Sequence, residues 1–535
     1  MRADWIFVGG PVISVDPSSR VYDGLALKGT RILATGTREQ IMALKGPRTE
    51  VVELAGRAVT PGLIESHCHM TSYGTNQLGI NIKWPNVKSI ADIQAKVKEK
   101  IKSTPPATWI RGWGYDQTKL AENRHPTRWD LDAISPDHPV LLGRTCGHIA
   151  VANSRALAAA GLTDQSPDPI GGKMDRRDGK LTGVVYETAK GPLVDASAFT
   201  REELMEGLRV CSEDWLMNGV TSCHDAGGPL VFPSVLQEGV ETGKVKVRVY
   251  LMVTLKTMGH DEQGRVFARS GVKTGFGNER MRIGPYKVIT DGSSSGPTAA
   301  TRDPYTSNPG DSGMLYFSQE ELDELIEIGH AAGYQVSTHA VGDRGVEMTL
   351  NAIEKALKKY PRKNCRHRIE HCGICPPDLQ KRVLELGIIP IAQPVFFHEF
   401  GDGYLRNYGP HRVRHMFPAK TFIANGIPVA ASSDCPVTFV DPFLGMYSAL
   451  TRNTMTGNTC GTEEVVDILS AIRMYTYNGA YASFEENLKG TLEPGKLADV
   501  TVMSANLFEV PVEEIKDMKA DMTFVGGELA YQRKK

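Results

Sequence analysis

The chain has 535 residues, 41% hydrophobic and 23% charged, with a formal net charge of −1. That is ordinary globular composition, long enough for a core domain of roughly 250 residues plus accessory structure. Near-neutral charge gives no reason to expect nucleic acid or an acidic membrane as partner, and no window approaches ~18 uninterrupted apolar residues, which excludes a helical membrane span.

The chain opens with Asp4 where a signal peptide would keep its apolar core, so a cytoplasmic location is expected. Residues 3–10, 25–28, 31–36 and 50–54 are short strand-like runs broken by Gly, Asp and Pro, the punctuation of antiparallel β structure. Residues 59–70 then run from a short apolar strand into His67 and His69. Residues i and i+2 of a strand share a side, so these two imidazoles aim at one point, and Cys68 between them aims away. An HxH alone is a weak metal signal; it gains weight only if other strands supply more ligands.

Further along, four runs do so. Pro285-Tyr286-Lys287-Val288-Ile289-Thr290-Asp291 buries a lysine in an apolar strand, an unusual place unless it is paired or chemically used. Residues 334–339 end in His339, 366–371 in His371 and 428–434 in Asp434. Singly, each histidine could be a satisfied core residue and Lys287 could lie on a strand edge. Five such sites on one chain make coincidence a poor account. Strand-like runs near 60–67, 219–224, 245–253, 282–290, 334–339, 366–371, 388–393 and 428–434 alternate with helical ones, which predicts a (β/α)8 barrel with its site at the C-terminal strand ends. About 150 residues separate the first two runs, too many for one connection. Residues 71–218 therefore hold an insertion, including a helical run at 89–97. Its aromatic run at 109–115 reads either as the insertion's own core or as pocket wall. Residues 493–503 and 522–527 return to the strand style of the first fifty residues.

Nine cysteines, an odd and scattered set, argue against a disulfide framework. Cys372 and Cys375 form a CxxC without a second one to complete a zinc site, and a structural role is the preferred reading.

The HxH, Lys, His, His, Asp series resembles the amidohydrolase superfamily in its two-metal subtype. The stretches Gly112-Trp113-Gly114-Tyr115-Asp116, His125-Pro126-Thr127-Arg128-Trp129-Asp130, Gly147-His148-Ile149-Ala150-Val151-Ala152-Asn153-Ser154, Asp291-Gly292-Ser293-Ser294-Ser295-Gly296 and His339-Ala340-Val341-Gly342-Asp343-Arg344 bring it closest to the YtcJ-like, amidohydrolase-3 branch that includes N-substituted formamide deformylase. The resemblance covers nearly the whole chain. It implies an α/β fold: a TIM-like barrel over 59–487 with the insertion at 71–218, and a discontinuous β-sandwich built from 1–58 and 488–535. It implies Zn²⁺ as cofactor. His67, His69 and Asp434 would hold a first ion, His339 and His371 a second, and Lys287, carboxylated by CO₂, would bridge them. The rival reading is a single metal on His67, His69, His339 and Asp434 with Lys287 unmodified. A homodimer is a family-level expectation only.

Metal lowers the pKa of bound water from about 15.7 to roughly 7, and the hydroxide attacks a polarised carbonyl carbon. Asp434 is placed to take the water's proton and give it to a leaving amine. His148 is a candidate for contact with substrate or the developing oxyanion. His224-Asp225 reads as a hydrogen-bonded pair behind the ligands, and Asp291 and Ser293 as organisers of their loop. Pro297 stands where many relatives carry arginine, which weakens any case for recognising an anionic group there. The expected function is hydrolysis of a C–N bond of amide or formamide type in a small molecule. The alternatives are deamination of a heterocycle and a barrel that has become a non-catalytic scaffold.

Overall fold

The structure is a computed structural model that describes residues 1–228, 231–254 and 263–534. Eight strands line the barrel: β1 (Leu63–Cys68), β2 (Val220–Asp225), β3 (Arg248–Thr254), β4 (Met281–Ile289), β5 (Val336–Ala340), β6 (Arg368–His371), β7 (Ile389–Ala392) and β8 (Ala430–Ala431). Successive strands pair in parallel from β1 round to β8. Among the described residues β8 and β1 share no ladder and are joined by the Cys68–Cys435 bridge. Two backbone bonds close that seam, Asp434 N–H to His67 O at 3.1 Å and His69 N–H to Cys435 O at 2.8 Å.

The barrel strands carry apolar side chains outward onto helices, as Val249, Leu251 and Val253 of β3 do. Their inward positions are unusually polar and include Glu65, His224, Lys287, Arg368 and Glu370, all buried. Helices between strands start where the sequence supplies caps: Thr200 with Glu203 opens Arg201–Met217, and Ser318 with Glu321 opens Gln319–Ala331.

The run expected at 60–67 is divided between two sheets. Val59–Pro61 pairs antiparallel with Val500–Met503 and parallel with Trp5–Ile13, whereas β1 begins only at Leu63. Hydrogen bonds join strands from both ends of the chain into one continuous eight-stranded sheet. Antiparallel pairs dominate it, but Trp5–Ile13 is parallel to both Glu50–Glu53 and Val59–Pro61. A buried ion pair, Arg248 to Asp499 at 2.7 and 2.9 Å, ties that sheet to β3.

Between Met70–Leu78 and Arg201–Met217, the helices that leave β1 and approach β2, a six-stranded sheet is inserted. The two helices touch backbone to backbone: a Cβ on Gly74 would lie 2.1 Å from the Gly207 carbonyl oxygen, so only glycine fits. Within the aromatic run, Tyr115 is fully buried in the insertion's own core and Trp109 packs on a second small cluster. No described helix is long and apolar enough to cross a membrane.

Candidate metal centre and active site

Because parallel strands all end on one face, the residues singled out on β1, β4, β5, β6 and after β8 gather there. His67 Nε2 and His69 Nε2 each lie 3.3 Å from Asp434 Oδ1. Ring centroids of His67 and His371 are 5.3 Å apart, and those of His339 and His371 4.6 Å. Lys287 is buried beside them at 3% exposure. Burial pushes its amine down to about 8, although the Glu370 and Asp434 charges pull the other way. Its nitrogen has no hydrogen bond or ion pair among the described residues.

Strand alternation alone would turn His371 away from the interior position that Glu370 takes. His371 instead adopts φ +73° and Asp434 φ +55°, left-handed conformations uncommon for residues with side chains, which redirect both toward the cluster.

The nitrogens that do not face the cluster are held. Glu370 receives His67 Nδ1 at 2.6 Å, Ser337 Oγ at 2.7 Å, and Arg368 at 2.5 and 2.9 Å. Burial would raise the Glu370 carboxyl, but Arg368 and His67 hold it well below the usual range. An ionised carboxylate can only accept, so His67 carries its proton on Nδ1 and turns the Nε2 lone pair to the cluster. Gln393 Oε1 does the same for His371, accepting from Nδ1 at 2.7 Å, while its amide donates to Ser432 Oγ at 2.9 Å and to Ile391 O at 3.1 Å. His339 is turned round: Nε2 donates to Gly292 O at 3.2 Å, which leaves Nδ1 for the cluster.

These residues fit a metal. Asp434 Oδ1 is buried and has no hydrogen-bond partner among the described residues, although His67 Nε2 and His69 Nε2 lie 3.3 Å from it. Burial lowers His69, takes His371 down to about 3 and puts His339 well below 6.5. For His69, His371 and His339 burial thus favours the uncharged imidazole that ligation needs.

A family model described as "Amidohydrolase family" matches residues 50–531. The chain belongs to the amidohydrolase family. It is 30% identical to "Putative amidohydrolase YtcJ" of Bacillus subtilis (strain 168), with 100% of each chain covered. It is 26% identical to "N-substituted formamide deformylase" of Arthrobacter pascens, over 99% of this chain and 98% of that one. A solved structure of a metal-dependent hydrolase from Pyrococcus horikoshii OT3 superposes with a TM-score of 0.77 at 26% identity, covering 95% of this chain and 99% of that one.

The insertion of this amidohydrolase also reaches the cluster. His148, just before the insertion strand Ile149–Ala152, has its ring 5.6 Å from that of His339. Its Nδ1 meets Glu187 Oε2 at 2.6 Å. Burial would lower the His148 imidazole, but the Glu187 charge outweighs it and raises it.

His224 and Asp225 do not form the expected pair. As neighbours on a strand they point to opposite sides: His224 Nδ1 meets Arg368 at 3.0 Å inside the barrel, and Asp225 accepts Met70 N–H at 2.7 Å just past the HxH. Asp291 organises its loop by accepting Val341, Gly342 and Ala300 N–H at 2.9, 2.8 and 3.0 Å. Sequence reasoning passed over Glu370, Gln393 and Glu187. Two signals were available: Arg368 and Glu370 occupy alternate positions of a buried strand, and Gln393 is a polar residue ending an apolar run, the criterion that picked out His339.

Proposed function

We propose that this amidohydrolase cleaves a C–N bond of amide or formamide type in a small molecule. The observation that carries the reading is Asp434 Oδ1, buried, without a hydrogen-bond partner, and 3.3 Å from both HxH nitrogens. In this reading His67 and His69, through Nε2, would hold a first Zn²⁺-like ion with Asp434, and His339, through Nδ1, a second with His371. Lys287 Nζ, as the neutral amine, would supply the nitrogen of a carbamate with CO₂, giving up a proton, and would add an anionic ligand to the centre. Burial that costs an ammonium so much favours the neutral amine, the form of lysine that reacts with CO₂. The ions, when bound, supply Lewis acidity toward the carbonyl and toward water. Asp434 takes the proton of the attacking water and passes it to the leaving nitrogen, without which an amide nitrogen is a very poor leaving group. His148 meets the substrate from the insertion side. Glu370 and Gln393 keep His67 and His371 in the ligating tautomer. The formamide class is supported by the deformylase relative, similar along the full chain.

The test is metal analysis of protein expressed with ample metal, followed by product analysis over a panel of formamides, amides and aminated heterocycles. Stoichiometric transition metal with free amine and acid as products is the expected result. Ammonia from a heterocycle would turn the reading to deamination. Metal-free protein would turn it to a scaffold.

A further inference from the structure

We propose that Glu187 is a positioning residue that locks His148 into one orientation and one tautomer, so that the insertion presents a preset imidazole Nε2 to the metal-ligand cluster. This rests on the hydrolase reading above and goes beyond it by assigning the insertion a part in the chemistry.

Glu187 ends the insertion strand Lys180–Glu187 and is fully buried. A buried carboxylate is costly unless it is well paired. Its ion-pair-distance partner among the described residues is His148 Nδ1, and the Lys190 ammonium nearby feels its charge. Two hydroxyls complete its shell: Thr298 Oγ1 donates to Oε1 at 2.7 Å, and Tyr316 donates to Oε2. Both belong to the segment that follows β4, the strand of Lys287. The Glu187 backbone donates to His148 O at 2.8 Å, so the two residues are joined by main chain as well as side chain. Glu187 also sits at φ +51°, ψ −124°, a conformation rare for a residue with a side chain, and functional sites are where such strain is retained.

The consequence follows from donor bookkeeping. A carboxylate only accepts, so the 2.6 Å contact requires the His148 proton on Nδ1. Nε2 makes no hydrogen bond among the described residues, and the ring sits 5.6 Å from that of His339. The arrangement follows the logic of an imidazole oriented by a buried carboxylate, with its far nitrogen offered to the reacting group. Here the carboxylate and imidazole come from the insertion, and the barrel supplies the hydroxyls that hold the carboxylate still.

Nitrogen NMR of the histidine side chains, recorded on metal-loaded, ¹⁵N-labelled protein with His148→Asn to assign the signal, reads the tautomer directly. Wild type should show His148 protonated at Nδ1, and Glu187→Gln should move that signal alone while metal content stays unchanged. Tyr316→Phe, which keeps the carboxylate, should leave the tautomer in place. An Nε2-protonated His148 in wild type, or a signal unmoved by Glu187→Gln, overturns the proposal. These readouts need no substrate, so they stand even if formamide hydrolysis proves wrong. With formanilide as probe, Glu187→Gln and His148→Asn should each lower kcat by ~10²-fold or more. The double variant should lose no more than the worse single; additive losses also overturn the proposal. A wild type inert toward formamides and amides would count against the function proposed above, not against the tautomer.

Discussion

By distance alone, two groups in this barrel look alike. His67, His69 and Asp434 lie at the C-terminal strand ends, and His330, Cys365 and His367 at the opposite end; in each, the potential ligand atoms lie within 4.8 Å of one another. Their hydrogen bonds separate them. At the lower end Val336 N–H donates to His367 Nδ1 at 2.9 Å, so His367 carries its proton on Nε2. That proton goes to His330 Nδ1 at 2.9 Å, and His330 Nε2–H goes to the Tyr360 carbonyl at 2.8 Å. Every ring nitrogen there is used. At the upper end the outer nitrogens of His67 and His371 are used and the inner ones are free, with an unpartnered carboxylate oxygen between the HxH nitrogens. Convergence of ligand types therefore says less than the count of lone pairs left after each partner is assigned.

Asp434→Asn should separate the two ends of the barrel most strongly. It keeps the shape and removes the anionic ligand and proton carrier. The fold should survive and kcat should fall ~10²–10⁴-fold; a variant keeping more than about a tenth of kcat would remove Asp434 from the chemistry. Lys287→Ala comes next. Bound metal should fall from about two ions toward one or none, with turnover falling alongside. Short-chain carboxylates should restore part of both by occupying the bridging place. Unchanged metal and activity would make Lys287 structural and the centre mononuclear. Glu370→Gln should weaken metal binding about 10- to 100-fold by loosening the His67 tautomer, measured as chelator competition rather than as activity.

Much of the upper site was legible because a buried lysine, or a histidine ending an apolar run, is visible locally. The eight barrel runs were legible for the same reason: each is short, apolar and bounded by turn residues. What escaped depends on partners remote in sequence. Glu370 is 303 residues from His67, and nothing near either announces the bond. Glu187 is 39 residues from His148, across two insertion strands. The split of the first run is hidden too, because Val59–Pro61 leads into β1 with only Gly62 between, and only their neighbours, Val500–Met503 and β2, assign them to different sheets. The His224–Asp225 reading failed for a local reason: adjacent strand residues cannot share a side.

The lower cluster supplies the smaller effects. Burial lowers His330 and puts His367 well below 6.5. For a histidine with a depressed folded pKa, the unfolded chain binds the proton first, so stability is present above about 6.5 and is lost as pH falls below it. A metal-loaded His330→Gln/His367→Gln variant should lose less stability than wild type between pH 7.5 and 5.5, a window chosen to span about 6.5, the unperturbed histidine value. Urea midpoints falling equally in both would mean that the pair does not titrate there.

Cys365→Ser should change least. The thiol lies at the surface of a cavity of about 450 Å³ and donates to Arg362 O at 3.3 Å, a bond a serine hydroxyl can replace. If the closed histidine chain is what fills the lower end, metal stoichiometry and chelator resistance should match wild type. A transition metal lost on this substitution, with the upper centre still loaded, would mean that the His330–His367 bond opens to admit an ion. The distinction drawn from hydrogen bonding would then fail at the lower end, while leaving the upper assignment to be judged by Asp434 and Lys287 on their own.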